Sequence, residues 1–169
     1  MIIGIIKEVQ KYESRVSITP EIVKKLLKNE HSVIIESGSG DNSFYSDSLY
    51  KNAGAKIAKS SADVLKESDI LFKVNPPNES EIKQIKSNST VVSFFQIKDE
   101  VKNIPHYINS KLSILSMSHV PRTTLAQNMD ALSSQSNIAG YKATIIGADH
   151  ISKYMPLLMT AAGTIAPAK

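Results

Sequence analysis

The chain has 169 residues, of which 41% are hydrophobic and 21% are charged, so it can bury the core of one ordinary domain and is not expected to be disordered. It contains no cysteine, which excludes disulfides, thiol catalysis and cysteine-based zinc sites. The formal charge of +4 comes from scattered lysines rather than from a basic block, so we expect no nucleic-acid partner.

The predicted elements alternate between strands and helices. In chain order they are strand 2–6, helix 20–27, strand 32–36, helix 46–52, extended segment 55–58, helix 61–67, strand 70–74, helix 79–85, strand 90–95, helix 101–110 and strand 112–117. An irregular polar segment follows, then a long helix from about 133 to 154, and finally a linker, 160–169. The alternation predicts an α/β fold, with a parallel sheet flanked by helices (flavodoxin-like or Rossmann-like) and a long C-terminal helix. We expect an α/β domain at 1–132, and a connecting helix and linker at 133–169.

The apolar run at the N-terminus is too short for a signal peptide and is followed at once by charge. No stretch of about 18 apolar residues occurs, so no transmembrane helix is predicted. We therefore expect a cytoplasmic protein without direct membrane insertion.

Polar side chains follow the predicted strands at the edge where parallel sheets bind ligands. Lys73 interrupts an apolar strand, so we expect its ammonium either to reach solvent or to bind an anion. The Gly38-x-Gly40 pair lacks the third glycine of a dinucleotide fingerprint and is followed by Asp41, so a turn with positive φ is favoured over a phosphate loop. The four histidines share no metal-ligand spacing, which predicts no metal site, and only His119 lies at the polar edge as an acid/base candidate.

Segment 121–142, PRTTLAQNMDALSSQSNIAGYK, offers a guanidinium, an amide, a carboxylate and a hydroxyl in Arg122, Gln127, Asp130 and Ser133. Arginine suits a pyrophosphate, whereas an amide and a carboxylate suit a carboxamide or ribose hydroxyls. A second interpretation has equal support from the residues alone. In it Asp130 and Ser133 cap a helix and Arg122 forms a surface ion pair.

The opening IGIIKEVQKYESRVSITPEIVKKL contains Lys-Glu, Glu-x-Arg-Val and Thr-Pro elements, and ESGSG, the Ala53-Gly54-Ala55 turn and ILFKVNPP follow it. These motifs resemble those of the alanine dehydrogenase and nicotinamide nucleotide transhydrogenase family. Alanine dehydrogenases carry a catalytic histidine after the fourth main strand, where this sequence has Gln96. Segment 121–142 is instead similar to the Arg-Gln-Asp loop of the NAD-binding component of proton-translocating transhydrogenases, which folds over the nicotinamide end of NAD(H).

The resemblance implies that Arg122, Gln127, Asp130 and Ser133 bind the cofactor NAD, with Gln127 and Asp130 as the catalytic pair. It implies hydride transfer between NAD(H) here and NADP(H) on a separate component, coupled to proton movement through a membrane component. Orientation of two nicotinamides matters more for such a step than acid/base chemistry. A homodimer is also implied, held at the inner membrane through its partner subunits.

Arg15 and Lys73 match the positions that bind the substrate carboxylate in alanine dehydrogenases. The ending TAAGTIAPAK resembles the segment that precedes the family's Rossmann domain, so we expect this chain alone to be inactive and to bind NAD poorly or not at all. Two alternatives remain open, namely a fragment of an alanine dehydrogenase-type oxidoreductase and a non-catalytic assembly or remnant module.

Overall fold

The computed structural model describes residues 1–168, and its body is a six-stranded parallel sheet. The strand order is β3-β2-β1-β4-β5-β6. Successive strands are added first on one side of β1 and then, from β4 onwards, on its other side, as in doubly wound Rossmann-like sheets. The predicted fold class is therefore confirmed. The strands are β1 Ile2–Ile5, β2 Ser32–Glu36, β3 Lys56–Ala58, β4 Ile70–Phe72, β5 Thr90–Ser93 and β6 Ser113–Ser116.

Helices connect the strands, and a long helix follows the last of them. They are α1 Pro20–Lys28, α2 Asp47–Ala53, α3 Ser61–Glu67, α4 Glu79–Ile82, α5 Ile97–Glu100, α6 Ile104–Asn109 and α7 Ala131–His150. Short 3₁₀ turns occur at Asp41–Ser43, Met117–His119 and Gln127–Met129. No helix among residues 1–168 has both the length and the apolar character needed to cross a bilayer.

Several predicted segments have other bounds in the structure, among them the long helix expected from about 133 to 154, which is α7 at Ala131–His150. The helix expected at 101–110 is present but shorter, since α6 spans Ile104–Asn109 and α5 ends at Glu100. Pro105 lies in the first turn of α6, where its missing N–H costs no helical hydrogen bond. The predicted linker 160–169 contains part of a hairpin, β7 Leu158–Thr160 paired with β8 Gly163–Ile165. Lys169, the last residue of that predicted linker, lies outside the described residues.

Each face of the sheet packs against its own apolar cluster. One cluster includes Ile34 and Leu71 with residues of α3, α4 and α6, and the other includes Ile5 and Ile35 with residues of α1 and α2. Strands covered on both faces are continuously apolar, as the sequence indicated. A Cβ at Gly4 would overlap the side chains of Ser68 and Val64, so glycine is what allows α3 to approach β1 closely.

The last third of the chain extends away from this body. No residue of α7 is buried, and its packing is with the Met117–His119 turn at its N-terminal end. The α7 helix therefore meets the body of the molecule beside the Met117–His119 turn, which follows β6.

Candidate functional site

A cleft lies beyond the carboxyl ends of β4, β5 and β6, between the loop after β1 and the first turns of α7. Its volume is about 380 Å³. This is the edge at which doubly wound sheets bind ligands. The lining residues are Arg15, Val16, Ser17, Thr19, Ser43, Tyr45, Phe72, Lys73, Val74, Val92, Phe94, Met117, Ala131 and Gln135.

Arg15 is the guanidinium of the cleft, and it is held from three directions. Its Nε and Nη2 donate to the two carboxylate oxygens of Glu13 at 2.8 and 2.7 Å. Its Nη1 donates to Oε1 of Gln135 on α7 at 3.1 Å, and the ring of Phe94 lies 6.0 Å away. The Arg15 guanidinium lowers the pKa of the Glu13 carboxyl to about 2, so Glu13 stays ionised and neutralises Arg15.

Lys73 lines the cleft, but its ammonium is buried in an ion pair. Nζ lies 3.0 and 3.1 Å from the two oxygens of Glu81 and 4.0 Å from Oε2 of Glu8, and the Lys73 side chain is only 2% exposed. Of the two expected placements, access to solvent is therefore wrong. The anion that the ammonium binds is the chain's own carboxylate, so a further anion would have to compete with Glu81.

Asn75 joins this buried pair to the Arg15 loop. The Glu8 carboxylate accepts the backbone N–H groups of Val74 at 2.6 Å and Asn75 at 3.3 Å. The Asn75 amide donates to Glu8 at 3.3 Å and to Glu13 at 3.0 Å. A continuous polar chain thus runs from the buried ion pair to the exposed guanidinium of Arg15, and it fixes the loop that forms one wall of the cleft.

The four residues predicted to bind the cofactor lie on the exposed segment that leads into α7. Asp130 is the N-cap of α7, since its Oδ1 accepts the backbone N–H of Ser133 at 2.9 Å and its Oδ2 accepts the Ser133 hydroxyl at 2.6 Å. These two hydrogen bonds, with a smaller contribution from the charge of Arg122, lower the pKa of Asp130. The capping interpretation is therefore confirmed for Asp130 and Ser133.

Arg122 and Gln127 are exposed, and Gln127 begins a 3₁₀ turn. The surface ion pair expected for Arg122 does not form among residues 1–168. Capping does not decide whether this segment also binds a cofactor. Each oxygen of the Asp130 carboxylate can accept a further hydrogen bond in addition to the one from Ser133.

Two other candidates lie apart from the cleft. Gly38 has φ +77°, and its N–H donates to Asp47 at 2.9 Å, so the predicted turn is confirmed and one of its donors is already used. His119 is exposed, and its Nδ1 lies 2.8 Å from the hydroxyl of Ser116. Gln96, at the start of α5, is also exposed but lies near Arg15 and Gln135 in a shallower depression.

Gln135 contributes to the cleft from α7 and was not among the predicted site residues. Ala131 and Gln135 are four residues apart, so they share one helix face, and both line the cleft. The spacing is visible in the sequence. It does not identify Gln135 as a cleft residue unless the helix is known to begin at Ala131 and to lie beside the Arg15 loop.

Comparison with known proteins gives a consistent set of relatives. Residues 4–139 match the family model for the alanine dehydrogenase/PNT N-terminal domain. The chain is 40% identical over 169 residues to the NAD(P) transhydrogenase subunit alpha of Haemophilus influenzae, covering 100% of this chain and 33% of the relative. It is 35% identical over 169 residues to the NAD(P) transhydrogenase subunit alpha of Cereibacter sphaeroides, covering 100% of this chain and 32% of the relative.

A solved structure of a transhydrogenase has the same fold as this chain. The crystal structure of a transhydrogenase from Sinorhizobium meliloti superposes with a TM-score of 0.92 at 37% identity, covering 99% of this chain and 50% of that one. The chain thus spans half or less of the length of each of these three relatives. The similarity includes the segment that carries the four predicted cofactor residues.

Proposed function

Because the chain belongs to the alanine dehydrogenase/PNT N-terminal domain family, we propose that it serves as the N-terminal part of the NAD(H)-binding component of a proton-translocating transhydrogenase. In this role it helps to transfer hydride between NAD(H) and NADP(H). The observation that carries the proposal is that segment 122–133 leads directly into α7, whose first turns line the cleft at the ligand-binding edge of a Rossmann-like sheet through Ala131 and Gln135.

The chemistry of that segment suits the nicotinamide end of a dinucleotide. Asp130 is ionised at neutral pH, as an ordinary aspartate is, and its hydrogen bonds with Ser133 lower its pKa further. It can therefore accept hydrogen bonds from a carboxamide or from ribose hydroxyls. Gln127 offers an amide with both donor and acceptor atoms, and Arg122 offers a guanidinium to phosphate oxygens. Ser133 holds the Asp130 carboxylate in place through its own N–H and hydroxyl.

The ion pairs that Arg15 and Lys73 form within the chain favour this role over oxidation of an amino acid. An alanine dehydrogenase-type reaction needs free cations for the substrate carboxylate, but Arg15 is bound by Glu13 and Lys73 by Glu81. A substrate carboxylate would have to displace these internal partners. Hydride transfer between two nicotinamides needs no carboxylate site, so the internal pairing is compatible with it.

The same proposal extends to partners and location. The chain would act as a homodimer with separate NADP-binding and membrane components, and would reach the inner membrane through them. Weak binding of NAD(H) by the 169-residue chain by itself, without hydride transfer, is part of the same proposal.

Saturation-transfer NMR with NADH tests whether the chain binds the nucleotide, because this method detects ligands with dissociation constants in the millimolar range. We expect transfer to be strongest at the nicotinamide protons, and to fall in Gln127→Ala and Asp130→Asn. The exposed Ser152→Ala variant, beyond α7, should leave it unchanged. Micromolar affinity of this chain alone would contradict the expected weak binding, and transfer centred on the adenine would contradict the assigned roles.

A further inference from the structure

One hydrogen bond connects α7, the helix that follows the segment proposed to bind nicotinamide, to the body of the molecule. Within residues 1–168, the bond from Arg15 Nη1 to Gln135 Oε1, at 3.1 Å, is the only one between residues 1–119 and residues 120–168. Its two ends are 120 positions apart in the sequence. The helix α7 also packs on the Met117–His119 turn.

The body end of this hydrogen bond is held rigidly. Two of the three Arg15 donor groups bind Glu13, and Glu13 is bound in turn by Asn75 in the loop after β4. Only Nη1 of Arg15 is directed to α7. Arg15 therefore presents a fixed donor, and the position of α7 depends on whether residue 135 supplies an acceptor.

The helix end is coupled directly to the cofactor segment. Gln135 lies in the first turns of α7, just after Asp130 and Ser133. The hydrogen bonds from Ser133 to the Asp130 carboxylate cap the N-terminus of this helix. Upstream of that cap, residues 123–130 are joined to one another by short-range backbone hydrogen bonds rather than to the sheet. A displacement of the first turn of α7 would therefore carry Asp130 and Ser133 with it, because the cap moves with the helix.

We propose that Gln135 is a positioning residue, which holds the start of α7, and with it the cap residues Asp130 and Ser133, beside the cleft by accepting the Arg15 hydrogen bond. The proposal rests on the proposed function for its biological meaning, since segment 122–133 is the part assigned to nicotinamide. The positioning itself is a property of the chain without ligand.

Hydrogen exchange of the free chain tests the positioning without any nucleotide. The informative amides are those of residues 126, 127, 129, 130 and 133, each of which is hydrogen-bonded within the segment. We expect Gln135→Leu to accelerate their exchange by roughly 2- to 10-fold, the range that follows from the loss of one hydrogen bond. Exchange in β1 and β4, and the Tm, should not change.

Three variants make the result specific. Gln135→Glu keeps the acceptor, so its exchange should match that of the unsubstituted chain. Asn137→Leu places the same leucine two residues further along α7 at an exposed position, and should also have no effect. Arg15→Leu should accelerate the same amides, and the double variant with Gln135→Leu should add nothing further. Unchanged exchange in Gln135→Leu, or equal acceleration in Gln135→Glu, would overturn the proposal.

The nucleotide readout is separate. NADH saturation transfer to the nicotinamide protons should fall in Gln135→Leu and recover in Gln135→Glu. The proposed function is decided in a full complex, where hydride transfer that is unchanged by Gln127→Ala and by Asp130→Asn would contradict it. The exchange result in the free chain alone decides whether Gln135 positions the segment.

Discussion

The ammonium of Lys73 lies 3.0 and 3.1 Å from the two carboxylate oxygens of Glu81, with 2% of the Lys73 side chain and 9% of the Glu81 side chain exposed. Buried ion pairs are costly to break because the remaining charge is left without a partner in a medium of low polarity. This pair thus connects the residue that follows β4 to α4 at the cleft, which Lys73 lines.

Removal of the Lys73 charge should destabilise the fold strongly. Lys73→Met leaves both Glu81 and Glu8 without a cation, so we expect the free energy of unfolding to fall by about 3–5 kcal/mol. Urea denaturation followed by circular dichroism measures the change. Lys83→Met is the matched control, because it removes an exposed helical ion pair with Glu79, which is worth at most about 1 kcal/mol. Equal effects of the two substitutions would contradict the structural role of Lys73.

The Glu13–Arg15 pair should make stability depend on acidity in a defined window. The pKa of Glu13 is lowered from 4.5 to about 2, chiefly by its hydrogen bonds with Arg15. A lowered pKa means that the stabilisation is complete above pH 4.5 and is lost as the pH falls towards 2. Glu13→Gln should therefore flatten the decline in stability over that range. Carboxyl ¹³C NMR provides the direct check, and titration of Glu13 near pH 4.5 would refute the assignment.

Gly4 should tolerate no side chain. A methyl group there would overlap Ser68 and Val64 of the α3 region, and such overpacking typically costs about 1–3 kcal/mol. Thermal unfolding of Gly4→Ala should show the corresponding drop in Tm. Gly140→Ala is the control, since open space surrounds that position on α7, and alanine should stabilise the helix by up to about 1 kcal/mol. A neutral Gly4→Ala would show that α3 can move away.

The sheet was predictable because its strands are apolar on both faces and are separated by clear helical patterns. Ser32–Glu36 and Ser61–Glu67 have the bounds that the sequence predicted. Capping by Asp130 was likewise one of two interpretations of its local sequence. These features depend on interactions close along the chain or on simple periodicity.

The partners of the charged residues were not predictable in the same way. Nothing in the sequence indicates that Lys73 turns to Glu81, or that Arg15 reaches Gln135 across 120 positions. Such pairs depend on which loops meet at the sheet edge, which is set by the tertiary fold. The cofactor roles of Arg122, Gln127, Asp130 and Ser133 stay predictions, because they concern a ligand rather than contacts within the chain.

The most direct test of the central claim is hydride transfer by a chimera. This chain would replace the aligned segment of the Haemophilus influenzae relative, assembled with its partner subunits, and reduction of an NAD analogue by NADPH would be followed by absorbance. We expect activity within roughly 10-fold of the parent, and a further loss of roughly 10- to 1,000-fold in Asp130→Asn, which keeps an acceptor at the helix cap but removes the charge. An active chimera whose rate is unchanged by both Asp130→Asn and Gln127→Ala would contradict the account.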